Sequence, residues 1–213
     1  MKAYTHIIWD FNGTILDDVQ VSIESANRLL RAHSLSEIPS VEEYRGKFGF
    51  PIIDYYRRMG FDFEVTPYAE LAVEWVAYYM EYQKEATLFK DIPEVLKKLK
   101  EKGISQIILS ATEVNMLEGQ VRELGIREYF DTLLGLSNIH AYSKEEIGRH
   151  WIEEHPDVVP LMIGDTDHDA QVAAAMGIDC VLLTCGHQNR ETLEKCPCLF
   201  VADSVTEVLE RFF

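Results

Sequence analysis

Positive charge is scarce in this chain. Of its 213 residues, 20 are Lys or Arg and 36 are Asp or Glu, leaving a formal net charge of −16 at pH 7. A molecule of that sign is repelled by nucleic acid and by acidic membranes, which are held through basic patches. It can still take a small anionic substrate, because a few local cations can oppose the global charge. Long apolar runs are missing too, and none approaches the roughly 20 residues of a membrane-spanning helix. Met1-Lys2-Ala3-Tyr4 leads straight into a strand-like run, with no signal-peptide pattern. The expectation is a cytoplasmic protein. Cysteine is confined to Cys180, Cys185, Cys196 and Cys198. Cys196-Pro197-Cys198 is too tight for structural zinc and has no His pair beside it, so the four read as reduced thiols. No internal repeat, low-complexity tract or flexible linker interrupts the chain.

What is present is an ordinary globular composition, 47% hydrophobic, in a chain long enough for one domain or for a core with a smaller insert. Thr5 to Trp9 is apolar without alternation, as in a central parallel strand covered on both faces. It ends abruptly in Asp10. From Asp17 the period becomes helical, with Val19, Ile23, Ala26 and Leu30 on one face. Arg45-Gly46-Lys47-Phe48-Gly49-Phe50-Pro51 reads as a loop. Helices follow over 52–59, stopped by Gly60, and from Pro67 to about Ala86.

From Lys90 strand and helix alternate. Helices are expected from Ile92-Pro93 to Gly103, over 113–124, from a Ser143/Glu146 capping box, over 168–176 and over 206–212. Strands are expected over 104–109, 130–136, 158–163, 178–183 and 199–201. The pattern predicts the α/β class: a Rossmann-like parallel sheet with helices on both faces, built from residues 1–16 and 88–213, with 17–87 inserted as an all-helical cap domain.

In such a sheet the carboxyl ends of the strands share one edge, where ligands bind. Asp10, Ser110, Lys144 and Asp165 each stand at a strand end or helix start of a different unit, so they converge there. Asp165, Asp167 and Asp169 are three acids in five residues. One can be a helix cap; the cluster with Asp10 fits a hard cation such as Mg²⁺ among carboxylates. Lys144, in a first helical turn, opposes the helix dipole unless an anion faces both.

In this order these residues resemble the haloacid dehalogenase-like (HAD) superfamily, whose members are mostly phosphatases. Ile8-Trp9-Asp10-Phe11-Asn12-Gly13-Thr14-Ile15-Leu16 is similar to its first motif, Ile107-Ile108-Leu109-Ser110 to the second, Lys144 to the third and Ile163-Gly164-Asp165-Thr166-Asp167-His168-Asp169 to the fourth. The chain looks closest to phosphoglycolate phosphatase-like and β-phosphoglucomutase-like enzymes, and Gly186-His187-Gln188 resembles the former group. The resemblance implies a Mg²⁺-dependent phosphatase of a small phosphorylated metabolite, working as a monomer or homodimer. Asp10 would be the nucleophile that forms an aspartyl phosphate. Asp10, the Asn12 carbonyl and Asp165 would hold Mg²⁺, with Asp169 orienting Lys144 or a metal-bound water. Thr14, Ser110, Ala111 and Lys144 would surround the phosphoryl group.

Asn12 departs from the family pattern, in which an Asp protonates the leaving group and activates water. An amide does neither, and losing that acid-base group costs about 10²–10⁴-fold in rate. Four readings stay open: leaving groups that need little protonation, a substitute donor such as His168, Asp167 or a cap residue, a non-catalytic or regulatory binder of phospho-ligands, or an engineered substitution. A dehalogenase-type hydrolase would also lack this acid, but the carboxylates around Asp165 speak against it. Arg45 and Lys47 read either as a substrate-contacting cap loop or as two surface cations. Phe48, Phe50 and the tyrosines of 78–82 read as cap core rather than as a surface facing substrate.

Overall fold

The computed structural model describes residues 2–136 and 143–213. Its centre is β1 (His6–Trp9), the third strand of a six-stranded sheet in the order β5-β4-β1-β6-β7-β8. The others are β4 (Ser105–Glu113), β5 (Thr132–Leu136), β6 (Pro160–Gly164), β7 (Asp179–Leu183) and β8 (Phe200–Ala202), and every pairing is parallel. Ile8 stands opposite Ile107 on one side and Met162 on the other.

Successive side chains of β1 enter different cores. Ile7 and Trp9 join Ile108, Leu161 and Ile163 beneath α5 (Ile92–Glu101), α6 (Val114–Glu123) and the last helix, Val205–Phe212. Ile8 joins Ile107, Leu109 and Met162 beneath α7 (Lys144–Glu154) and α8 (Asp167–Met176). Both faces of the strand are therefore buried, which is why its sequence shows no polar alternation. Gln106 is buried among these residues with its Oε1 accepting from Trp9 Nε1 at 3.3 Å and its Nε2 donating to the Leu96 carbonyl. The four cysteines are unpaired.

Between β1 and the rest of the sheet lie β2 (Leu16–Asp17), α1 (Val19–Ala32), α2 (Val41–Lys47), α3 (Ile52–Met59), α4 (Tyr68–Tyr82) and β3 (Thr87–Leu88). The four helices have a core of their own, with Ala26, Leu29, Leu30, Tyr44, Tyr55 and Leu71 in it. β2 and β3 pair antiparallel, Leu16 with Leu88 and Asp17 with Thr87, so the chain leaves and re-enters through one short ribbon.

Three local expectations change. Residues 41–47 are helical, so Arg45 and Lys47 stand in the last turn of α2 instead of in a loop. Ser40 caps this helix by accepting from Glu43 N–H, and the basic residues near its end suit the helix dipole; Gly46 and Gly49 masked that start signal. The long helix ends at Tyr82, followed by a 3₁₀ turn over Gln83–Glu85. β4 runs on past Leu109 to Glu113, with a register shift against β5 between those residues.

Candidate active site

The capping box at Ser143 and Glu146 is formed, with Glu146 N–H donating to Ser143 Oγ at 3.2 Å and Ser143 N–H to Glu146 Oε2 at 2.7 Å. It fixes the start of α7 and thereby the root of Lys144. The Lys144 ammonium is buried and pairs with Asp10 Oδ1 and, at 2.6 Å, with Asp169 Oδ1. Burial works against this charge, but Asp10 and Asp169 outweigh it and push the Lys144 pKa up.

Asp169 closes a second capping box. Its Oδ2 accepts from Thr166 N–H at 3.0 Å, Thr166 Oγ1 at 2.7 Å and Asp165 N–H at 3.1 Å, while Oδ1 faces Lys144. Both of its oxygens are thus occupied. The cap of α8 is Thr166, not Asp165 or Asp167. Asp167 turns aside, exchanging hydrogen bonds with the Gln188 side chain at 2.7 Å.

Asp165 is fully buried and accepts from Thr14 Oγ1 at 2.9 Å and from His187 N–H at 2.7 Å. Thr14 therefore supports Asp165 and does not line the cavity. The chain crowds this carboxylate with residues that have no side chain. A Cβ at Gly13, whose φ is +75°, or at Gly186 would collide with Asp165. One oxygen each of Asp10, Asp165 and Asp169 lies within 4.8 Å of the others. Burial, followed by the Asp169 charge, pushes Asp165 up to about 6. Burial also raises Asp10, against Lys144 and with Asp169 and Asp165. One lysine leaves this hard-oxygen set short of positive charge, so the residues fit a divalent cation.

Ser110 sits at the irregular point of β4, where its Oγ accepts from Thr112 N–H at 3.1 Å. Ala111 is exposed to the same space. That space is a cavity of about 460 Å³, floored by Asp10, Asn12, Ser110 and Lys144 and walled by the helical block. Phe48, Phe50 and Tyr79, expected in the cap core, line it; Phe50 stacks on His168 with ring centroids 4.6 Å apart.

Asn12 is held from three sides. Its Nδ2 donates to Asp18 Oδ2 at 2.9 Å and to Tyr79 Oη at 2.8 Å, and its Oδ1 accepts from Thr112 Oγ1 at 3.3 Å. Asp18 is the hub. It also accepts from Tyr79 Oη at 2.6 Å, Gly13 N–H at 2.9 Å and His187 Nε2 at 3.1 Å. Burial would raise the Asp18 pKa, but His187 and these hydrogen bonds bring it below the usual range. Burial likewise opposes the His187 charge, and Asp18 more than reverses this, to about 9. Asp18 and Tyr79 escaped the sequence reading because one looked like a helix start and the other like a core aromatic.

Neither Arg45 nor Lys47 lines the cavity. The Arg45 guanidinium donates to the Gly186 carbonyl at 2.8 Å and the Cys185 carbonyl at 2.5 Å, tying α2 to the loop after β7. Tyr44 Oη, on the same helix, meets His187 Nδ1 at 2.9 Å.

Residues 7–183 match the family model of the haloacid dehalogenase-like hydrolases. A phosphoglycolate phosphatase of Vibrio vulnificus is 26% identical over 219 residues, covering 96% of this chain and 94% of its own. The tyrosine-protein kinase PtkA of Mycobacterium tuberculosis is 25% identical over 207 residues, covering 94% and 69%. A haloacid dehalogenase-like hydrolase of Streptococcus pneumoniae superposes over 100% of both chains with a TM-score of 0.82 at 22% identity, a likeness of fold. The chain is thus a hydrolase that belongs to the haloacid dehalogenase-like family, in its phosphoglycolate phosphatase-like branch.

Proposed function

We propose that the chain is a Mg²⁺-dependent phosphatase acting through an aspartyl phosphate formed on Asp10, with residues 17–87 serving as a cap over that site. The observation that carries this reading is Asp10 at the floor of the cavity, paired to buried Lys144 and beside Asp165. Asp10, Asp165 and the Asn12 carbonyl would hold the cation. When bound, it would offset the charge between nucleophile and phosphate.

In this reading the residues divide the work. Asp10 forms a bond to phosphorus while the bond to the leaving oxygen breaks. Lys144 and the Ser110 hydroxyl bind phosphoryl oxygens, whose charge they meet most strongly in the transition state. Asp169 keeps Lys144 charged and in place, and with one oxygen within 4.8 Å of those of Asp10 and Asp165 it would also help to hold the cation. Water then displaces the Asp10 carboxylate from phosphorus. Asn12 cannot assist either proton transfer, so turnover of esters with poor leaving groups is slow. Arg45 is assigned to the cap–core contact and not to substrate.

The test is phosphate release from a panel of phosphate esters with and without Mg²⁺. Activity is expected to need the cation and to vanish in Asp10→Ala. Unchanged release by that variant would remove Asp10 as nucleophile.

A further inference from the structure

The site carries more information about the leaving group than about the phosphate. Above the phosphate-binding floor the cavity walls are aromatic and aliphatic, with Phe50, Tyr56, Trp75, Val76 and Met80 among them. Val76 and Met80 leave substantial apolar surface exposed there. Among the described residues lining the cavity, the cations are Lys144, whose ammonium is committed to Asp10 and Asp169, and His187, whose imidazolium is paired with Asp18. Asp18, Glu113 and Asp169 line the same space. A second anionic group on the substrate would thus enter a volume with no free cation from these residues and with carboxylates around it. A cavity of about 460 Å³ is also far roomier than a two-carbon phosphoester needs.

A separate observation concerns the proton. At position 12, where the family pattern places the acid that protonates the leaving group, this cavity presents an amide fixed by Asp18, Tyr79 and Thr112. An aliphatic alkoxide needs a proton as it leaves. A phenol is far more acidic, with a pKa of about 10, so it can depart as phenolate.

From these two observations, and resting on the reading of Asp10 as nucleophile, we propose that the substrates are phosphate monoesters of uncharged, apolar aromatic hydroxyls. The Asp10–phosphorus bond forms, the phosphorus–oxygen bond to the ring breaks, and the phenolate takes the electron pair and later a proton from solvent. Water then releases inorganic phosphate from Asp10, so the net reaction consumes one ester and one water. The apolar walls desolvate the ring.

Four esters separate the two arguments: 1-naphthyl phosphate, its carboxylated analogue, 1-naphthylmethyl phosphate and phosphoglycolate. The expected kcat/KM for 1-naphthyl phosphate exceeds each of the others by about 10²-fold or more, the carboxylate losing in binding and the naphthylmethyl ester in the rate of the phosphorylation step, read in single-turnover release of the alcohol because hydrolysis of the Asp10 phosphate is common to all four. Val76→Arg, a change at an exposed lining position, should narrow the gap to the carboxylated analogue at least tenfold. Preference for phosphoglycolate, or equal kcat/KM for the naphthyl and naphthylmethyl esters, would overturn the proposal.

Calorimetry with 1-naphthylphosphonate against phosphonoacetate distinguishes the two levels. Tighter naphthyl binding by a protein that hydrolyses none of the esters sinks the phosphatase reading and keeps the ligand class. Tighter phosphonoacetate binding sinks the ligand class whatever the protein hydrolyses.

Discussion

Asn12 and Asp18 behave as a single unit. The Asn12 amide donates to an Asp18 oxygen at 2.9 Å, so Asn12→Asp alone would set two carboxylates against each other at hydrogen-bond range. Restoring the family's acid is therefore a two-residue problem. Asn12→Asp should gain little, whereas Asn12→Asp with Asp18→Asn should raise kcat on an alkyl phosphate by about 10²–10⁴-fold. Steady-state phosphate release measures this, and a double variant no faster than its parent would place the block elsewhere. The carboxylate cluster predicts a pH dependence as well. Asp165 titrates at about 6, above its unfolded value, so in the metal-free protein it adds stability below the ordinary Asp range that is lost as pH rises through 6. A divalent cation needs the ionised form. The rise in melting temperature on adding Mg²⁺ should thus be larger at pH 7.5 than at pH 5, and Asp165→Asn should flatten the difference in thermal melts at both pH values.

At the scale of elements, the contact between α2 and the loop after β7 holds the cavity's wall to its floor. Arg45 saturates two backbone carbonyls there, and Phe48 lies 5.1 Å from the His187 ring. Arg45→Leu leaves both carbonyls without these donors, a loss of about 1–3 kcal/mol readable in urea unfolding. A loss below that range would mean that other donors replace the arginine. The same elements show what a sequence conveys. β1 with Asp10 was legible because an apolar run cannot end in a carboxylate without placing it at a sheet edge. The start of α7 was legible because Ser143 and Glu146 are three residues apart. The Asn12–Asp18–Tyr79–His187 network was not, since Tyr79 follows Asp18 by 61 residues and His187 follows it by 169. Nothing local marks either partner. The α2 start lay behind glycines that a loop would also carry.

Over the whole molecule, the parallel sheet gathers groups that are far apart in the chain. Asp10, Ser110, Lys144 and Asp165 belong to four strand–helix units, yet their strands β4, β1 and β6 are direct neighbours, and α7 packs against that edge. That convergence follows from topology, so it was readable once the strands were. The shape of the cavity was not, because it depends on how helices with their own core lie over the sheet. The ribbon of β2 and β3 has a further consequence. Asp17 and Thr87 stand directly opposite each other in an antiparallel pair, as the two residues flanking a tight hairpin turn do. The strands on either side already belong to one continuous scaffold. A shortened chain in which two turn residues such as Asn-Gly replace 18–86 should therefore fold with the six-stranded order intact, seen as a cooperative melt and retained secondary structure. An unfolded product would mean that the sheet borrows its stability from the helices it carries. If the shortened chain folds, the helical block is removable in the way a plug-in cartridge is, and substrate choice could be exchanged between relatives by swapping 18–86 alone.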